Sequence, residues 1–331
     1  MPEVSVILPV LNAETTIARA VESILQQTSV DLELIVVDDG STDRTVHALR
    51  DQRDSRLKIL RTDHGGVAAA SNVGLQMAQA AIISRMDADD IAHPQKLEKQ
   101  MAALRQQSLD VIGCRVRILN ADNSVATSLL RYERWINEET ITRQQILALR
   151  FVEFPFVNPT ILARRQYFEI GFADNELPED YDLMLTAAAQ GLRFGKVSEV
   201  LFDWLDGPSR LTRTDDRYSN DAFMKCRRKH LLNGPLRGAF QVDLWGAGQT
   251  GKPWLRWLQQ QKIEVRRVYE VHPRKIGNII HNVPVVDVEE MSAPDGTPLI
   301  VAVGADGARA LIHEHVMKFG YVLGDDTWFV A

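Results

Sequence analysis

The sequence predicts an α/β protein built on a doubly wound, mostly parallel sheet, followed by a second and smaller α/β unit. Three observations carry that expectation. Apolar runs of the kind buried on both faces alternate with segments of helical spacing from Val4 to Leu119. Two acidic clusters, Asp38-Asp39 and Asp87-Ala88-Asp89-Asp90, each follow such a run directly. The pattern then restarts after Asn233-Gly234-Pro235 with an apolar run leading into Gly246-Ala247-Gly248-Gln249-Thr250-Gly251.

The elements follow in order. Val4–Pro9 reads as a buried strand, and Asn12–Gln27 as a helix with Ile17, Val21, Ile24 and Leu25 on one face. Leu32–Val37 is the next strand, and Asp43–Arg53 a helix that Ser41 or Thr42 would cap. Leu57–Arg61 is a short strand, Gly65-Gly66 opens a small-residue helix to Ala80, and Ala81–Met86 is the fourth strand. Pro94–Gln107 reads as a helix, Val111–Leu119 as a strand and Arg134–Leu149 as helical. Phe151–Pro159 is aromatic and Pro-containing, which suits a loop. Asp180–Gln190 is a helix stopped by Gly191, Lys196–Phe202 a strand and Thr214–Leu232 a helix. In the second unit Gln241–Trp245, Lys262–Tyr269, Val283–Val286, Leu299–Val303 and Tyr321–Leu323 are strand candidates, with helices at Lys252–Gln261 and Ala305–Phe319. This divides the chain into a first domain at 1–215, a helical basic linker at 216–238 and a second domain at 239–331.

A chain of 331 residues is long for one domain and suits two. The net charge of −6 argues against a general nucleic-acid binder. No apolar run reaches the ~20 residues of a membrane span, and the start lacks the features of a secretory signal. Cys114 and Cys226 have no metal-ligand spacing and read as reduced and structural, so the expected location is cytoplasmic. Acids packed this closely at strand ends repel each other unless a cation or polar ligand lies among them, so the clusters propose a site for a metal and a phosphorylated nucleotide.

Taken together, Val4-Ser5-Val6-Ile7-Leu8-Pro9, Leu34-Ile35-Val36-Val37-Asp38-Asp39-Gly40-Ser41, Met86-Asp87-Ala88-Asp89-Asp90 and Pro178-Glu179-Asp180-Tyr181-Asp182 resemble, in the right order, the family 2 glycosyltransferases of GT-A fold. The resemblance covers roughly residues 1–215. It implies that Asp89, and Asp87 second, hold Mn2+ or Mg2+, and that Asp87 helps orient the donor. It implies that Asp39 contacts the nucleoside while Pro9, Asn12 and Glu14 shape the base pocket. By the same resemblance Asp180 is the catalytic base that takes the acceptor's proton, with a helix dipole expected to keep it ionised. Glu179 is expected on the acceptor side or as a cap, and Trp204 either on the acceptor side or in the core. Ser41, Thr42 and Asp43 read as helix-capping residues, and Asp90 as a cap or a water-facing acid. Ser71 stands where the family commonly has an arginine, so Arg85, or Arg210 and Arg213, would supply a phosphate-binding cation. Arg210–Arg213 also reads as a plain solvated basic loop.

The run Gly246, Gly248, Gly251 fits Gly-x-Gly-x-x-Gly between a strand and a helix, and Glu270 falls 19 residues after Gly251. This unit resembles the small Rossmann-like domains attached to some sugar acyltransferases and methyltransferases. It would bind a nucleotide, act in docking or oligomerisation, or be a reductase fragment; docking is favoured. Trp254 and Trp257 read as packing residues, and His313 and His315 not as a metal pair.

The expected function is metal-dependent, inverting transfer of a sugar from a nucleotide-sugar donor, a UDP-sugar first, to a hydroxyl of a glycan, glycolipid or protein acceptor. The alternatives are a non-catalytic nucleotide-sugar sensor or scaffold, and an NAD-linked enzyme centred on Gly246–Gly251. Eight Lys/Arg against four Asp/Glu between Asp206 and Gly238 would permit peripheral contact with anionic lipid at the inner membrane face; a solvated helix face is the simpler reading.

Overall fold

A computed structural model describes residues 1–120, 125–173, 176–207 and 210–331, with backbone only at 211–212. Its contacts divide the chain into two compact units, Met1–Arg143 with Phe156–Cys226, and Gln144–Pro155 with Arg227–Ala331. This division differs from the expected one. A short segment before Phe156 joins the second unit, and the expected linker contains one continuous helix, Asn220–Asn233. Composition marks where a chain turns polar; it does not record which contacts a segment finds.

The first unit carries eight strands: β1 (Val4–Val10), β2 (Leu32–Asp38), β3 (Leu57–Arg61), β4 (Ile82–Arg85), β5 (Ile91–Ala92), β6 (Val111–Asn120), β7 (Leu162–Arg164) and β8 (Phe194–Asp206). Their order across the sheet is β3-β2-β1-β4-β7-β6-β8-β5. The block β3-β2-β1-β4 is parallel, as is β6-β8. Strand β7 is antiparallel to β4 and β6, and β5 is antiparallel to β8, so the sheet is mixed. With three and two residues, β7 and β5 are too short to show a period in sequence.

Every residue of β1 and β2 is buried, which explains their unbroken apolar character. The helix Ile17–Leu25 buries Ile17, Ala20, Val21 and Ile24 at helical spacing. The helix Gly66–Met77 approaches the sheet so closely that a Cβ on Gly74 would lie 2.5 Å from Ile7 Cγ2. The expected helix at 43–53 shrinks to Thr45–Ala48, whose N-cap is Arg44 with no side-chain capping bond; Asp43 accepts the Thr45 amide just ahead of it, and the sequence offers little apolar face. The helical expectation at 134–149 resolves into Thr127–Arg134, a π-helical turn Trp135–Glu139 and Arg143–Leu149. Lys196, buried on β8, donates to the Ile136 carbonyl and Thr140 Oγ1 at that turn. Both cysteines are free and buried.

The second unit has six strands: β9 (Gln241–Trp245), β10 (Glu264–Glu270), β11 (Ile279–Ile280), β12 (Val283–Asp287), β13 (Leu299–Val301) and β14 (Thr327–Phe329). Their order is β11-β12-β10-β9-β13-β14. All pair in parallel except β11. The last strand is Thr327–Phe329, not the expected Tyr321–Leu323, which contributes only an isolated bridge from Leu323 to Thr327. Trp254 and Trp257 meet edge to face with centroids 5.3 Å apart and are buried, as packing residues.

Glu33 ties three strands together. Its carboxylate accepts from Ser5 Oγ on β1 at 2.5 Å, Lys58 Nζ on β3 at 2.7 Å and the Gln79 amide at 2.7 Å. Burial alone would raise its pKa, but these donors more than reverse that and hold it below the usual range. The folded chain therefore binds this proton more weakly than the unfolded chain. The stabilisation is complete above the unfolded carboxylate range and is lost as pH falls through the folded value. Glu33→Gln is expected to cost about 1–3 kcal/mol near neutral pH, and less at about pH 4, measured by urea unfolding.

Candidate active site

Parallel pairing of β2, β1 and β4 brings the ends of these three strands to one edge of the sheet. Asp38 closes β2, fully buried, with Oδ1 accepting from the Ser41 amide at 3.0 Å. Asp39 follows, and its carboxylate accepts from the Gly65 amide at 2.8 Å and the Gly66 amide at 2.9 Å. His64 Nδ1 lies 2.8 Å from the same carboxylate. Three of its roughly four acceptor positions are therefore used. Pro9 is buried in β1 beside Val37 of β2. Asn12, at φ +52, accepts the Thr42 amide on Oδ1 and donates its own amide to Ser41 Oγ. Glu14 accepts the Arg44 amide, and its own amide donates to Asp43. Asn12 and Glu14 thus clamp the loop after β1 onto the loop after β2, with Ser41 and Asp43 serving as loop acceptors.

Asp87, Asp89 and Asp90 follow β4, each offering a carboxylate oxygen within 4.8 Å of the others. Asp87 pairs with Arg85 Nη1 at 2.8 Å. Arg85 is buried and also donates to the Met86 carbonyl through Nη1, while its Nε has no hydrogen-bond partner. Burial, then the Asp87 charge, raises the pKa of Asp89. Asp90 was expected to cap a helix or face water; instead it is 1% exposed, with Oδ1 accepting the Leu205 amide of β8. Its Oδ2 has no hydrogen-bond partner, and burial followed by repulsion from Asp89 drives its pKa well up. Clustered, desolvated oxygens with one orphaned lone-pair donor are the ligand set a hard divalent cation takes. These three residues therefore fit Mn2+ or Mg2+.

The helix Glu179–Ala189 presents Glu179 and Asp180 in its first turn. Glu179 is buried, and both its oxygens lie within hydrogen-bonding range of the Tyr218 hydroxyl, at 2.9 and 2.7 Å. Asp180 is half-buried. Burial, then the Glu179 charge, drives its pKa well above the usual range. This shift opposes the effect of the helix dipole. Asp87 and Arg85 are both within electrostatic reach of Asp180. Arg217, paired to Asp215 at 2.6 Å, is also in electrostatic reach of Glu179, and its Nη2 lies 3.9 Å from where a Cβ on Gly66 would stand. Gly66 is held by Asp39, so contacts run from Asp39 through Gly66 and Arg217 to Glu179, which with Asp87 lies in electrostatic reach of Asp180. Sequence reasoning missed Tyr218 and Arg217; their only signal is a phenol and a guanidinium soon after an acidic helix start.

Arg210 stacks on Trp204, 3.8 Å from the ring centroid, and is within electrostatic reach of Asp89. Trp204 is half-buried between Arg210 and Tyr132, whose ring centroid is 5.9 Å away. Arg213 instead makes a two-oxygen contact with Asp206 at 2.8 Å. Asp203 is buried against Arg117 and His93. Of the basic stretch, Arg213, Arg217 and Lys225 each face an acid, on Asp206, Asp215 and Glu176, which weakens the lipid-binding reading.

The sequence model described as Glycosyl transferase family 2 matches residues 5–171, half of the chain. The chain is 28% identical over 257 residues to the uncharacterized glycosyltransferase EpsJ of Bacillus subtilis, covering 74% of each. It is 37% identical over 123 residues to the UDP-Glc:alpha-D-GlcNAc-diphosphoundecaprenol beta-1,3-glucosyltransferase WfgD of Escherichia coli, covering 37% of this chain and 48% of that one. In structure it resembles S. aureus TarS in complex with UDP-GlcNAc, with TM-score 0.56 and 22% identity over 71% of this chain and 68% of that one. That likeness supports the GT-A fold. With half of it matched by the family's sequence model, the chain belongs to the family 2 glycosyltransferases.

Proposed function

We propose that this glycosyltransferase uses a UDP-sugar and a divalent cation, and that it inverts the anomeric centre as it transfers the sugar to a hydroxyl of a glycan or lipid-linked glycan. The observation that carries this reading is the gathering of Asp87, Asp89 and Asp90 oxygens within 4.8 Å of one another, with Asp180 in electrostatic reach of Asp87. Two names support the uridine donor: the glucosyltransferase relative takes UDP-Glc, and the TarS structure contains UDP-GlcNAc. A diphosphoundecaprenol acceptor in the first name supports a lipid-linked one.

Each residue has a task. The free acceptor position on Asp39 receives a uracil N–H or ribose hydroxyl. Asp89 and Asp87 would hold the cation, which when bound neutralises charge growing on the departing diphosphate. Arg210, stacked on Trp204, faces the same charge. Asp180 takes the proton of the attacking hydroxyl, and burial raises its proton affinity as that task requires. Glu179, held by Tyr218, shapes the acceptor side and raises the Asp180 pKa further.

Turnover of UDP-sugars, followed as UDP release, is expected with Mn2+ and absent in EDTA. Asp180→Asn should lower kcat by about 10²–10⁴ while calorimetry still detects UDP. Full activity in EDTA, or in Asp180→Asn, would remove the cation or the base from the mechanism. Tyr218→Phe deprives a buried carboxylate of its donor and is expected to cost about 1–3 kcal/mol of stability, read as a lower thermal midpoint.

A further inference from the structure

The second unit contains a crevice of about 300 Å³ at the ends of β9, β10 and β13, lined among others by Gly246, Gly248, Thr250, Glu270, Lys275 and Ala302. Its place in the sheet is telling. After β9 the chain moves outward through β10 and β12, then returns to the other side of β9 as β13 and β14. Ligands of open α/β sheets bind where that reversal opens the strand ends.

The three glycines of the loop differ in what requires them. Gly246 has φ +123, and a Cβ there would lie 2.6 Å from the Ala302 carbonyl oxygen. A Cβ on Gly251 would lie 1.7 Å from the Gly246 carbonyl oxygen. Backbone packing accounts for both. At Gly248 the nearest neighbour of a Cβ is Lys275 Nζ at 3.9 Å, so the fold leaves space there beneath an ammonium group. Among the described residues, no hydrogen bond uses the amides of Gly248 or Gln249.

Glu270 explains why the ammonium stays there. Its carboxylate accepts from Lys275 Nζ at 2.9 Å and from the amides of Ala247, Val271 and His272 at 3.3, 3.0 and 3.2 Å. Those four donors occupy its acceptor positions. The acid that sequence spacing offers for a ribose is therefore a post that holds Lys275 over the loop. Beyond it the crevice wall is apolar, with Val271 and Leu311 well exposed at 63% and 70%.

We propose that this crevice binds a nucleotide, with a phosphate between the Lys275 ammonium and the Gly248 and Gln249 amides and the base against Val271 and Leu311. The proposal is independent of the transferase reading, because every group in it belongs to the second unit.

Calorimetry on the full chain carrying Asp39→Asn and Asp89→Asn, in EDTA, tests it with UDP, ADP, NAD+ and inorganic pyrophosphate as probes. At least one nucleotide is expected to bind. Gly248→Glu, which places a carboxylate at the phosphate position without backbone strain, should weaken it by about tenfold or more. Lys275→Gln should weaken it as well, and the thermal midpoints of both variants should show that the unit still folds. Absence of binding by every nucleotide at about 5 mM would overturn the proposal. So would affinity unchanged in both variants, or pyrophosphate binding as tightly as any nucleotide.

Discussion

Negative charge crowded at the ends of β2 and β4 sets the terms for the first unit. At the separations of up to 4.8 Å among Asp87, Asp89 and Asp90, two full charges repel by about 3.5 kcal/mol or more at an effective dielectric constant near 20. A single hydrogen bond returns about 1 kcal/mol net, so backbone donors alone do not balance the cluster. The fold spends one buried guanidinium, Arg85, on Asp87 and leaves Asp89 and Asp180 with raised pKa values. Asp39 and Glu179, by contrast, have close donors to both carboxylate oxygens. Asp90, with one oxygen unpartnered, is compensated least of all.

Position comes from backbone proximity. Gly74 lets the helix Gly66–Met77 lie against Ile7, and the start of that helix is pinned by Asp39. Asn12 and Glu14 lock the loops after β1 and β2 to each other. The nucleoside candidates are therefore carried by two strands in register and by a helix that cannot draw back without losing its contact.

Much of this was legible in the sequence. Strands β1, β2 and β4 announce themselves because burial on both faces demands continuous apolar runs, and Asp39, Asp87, Asp89 and Asp180 stand out because acids follow those runs or open a helix. What was hidden depends on where distant chain returns. Tyr218 reaches Glu179 across 39 residues, and nothing local to either marks the pairing. The upward pKa shift of Asp180 was hidden too, because it comes from burial next to another acid, which opposes a first-turn dipole effect of about 0.3–1 kcal/mol. Strands β5, β7 and β14 are too short for periodicity, and the second unit's claim on Gln144–Pro155 is a matter of contacts. Spacing located Glu270 correctly but could not say that its oxygens were already taken by Lys275 and three amides.

The contact between Gly251 and the Gly246 carbonyl has a consequence for how such domains diverge. Two of the three glycines are demanded by the chain's own path, so a descendant that had lost all use for the crevice would still retain them. A signature search would report that descendant as intact. Only Gly248 is free of this obligation, and drift at that one position, together with its lysine neighbour, would separate working copies from vestigial ones.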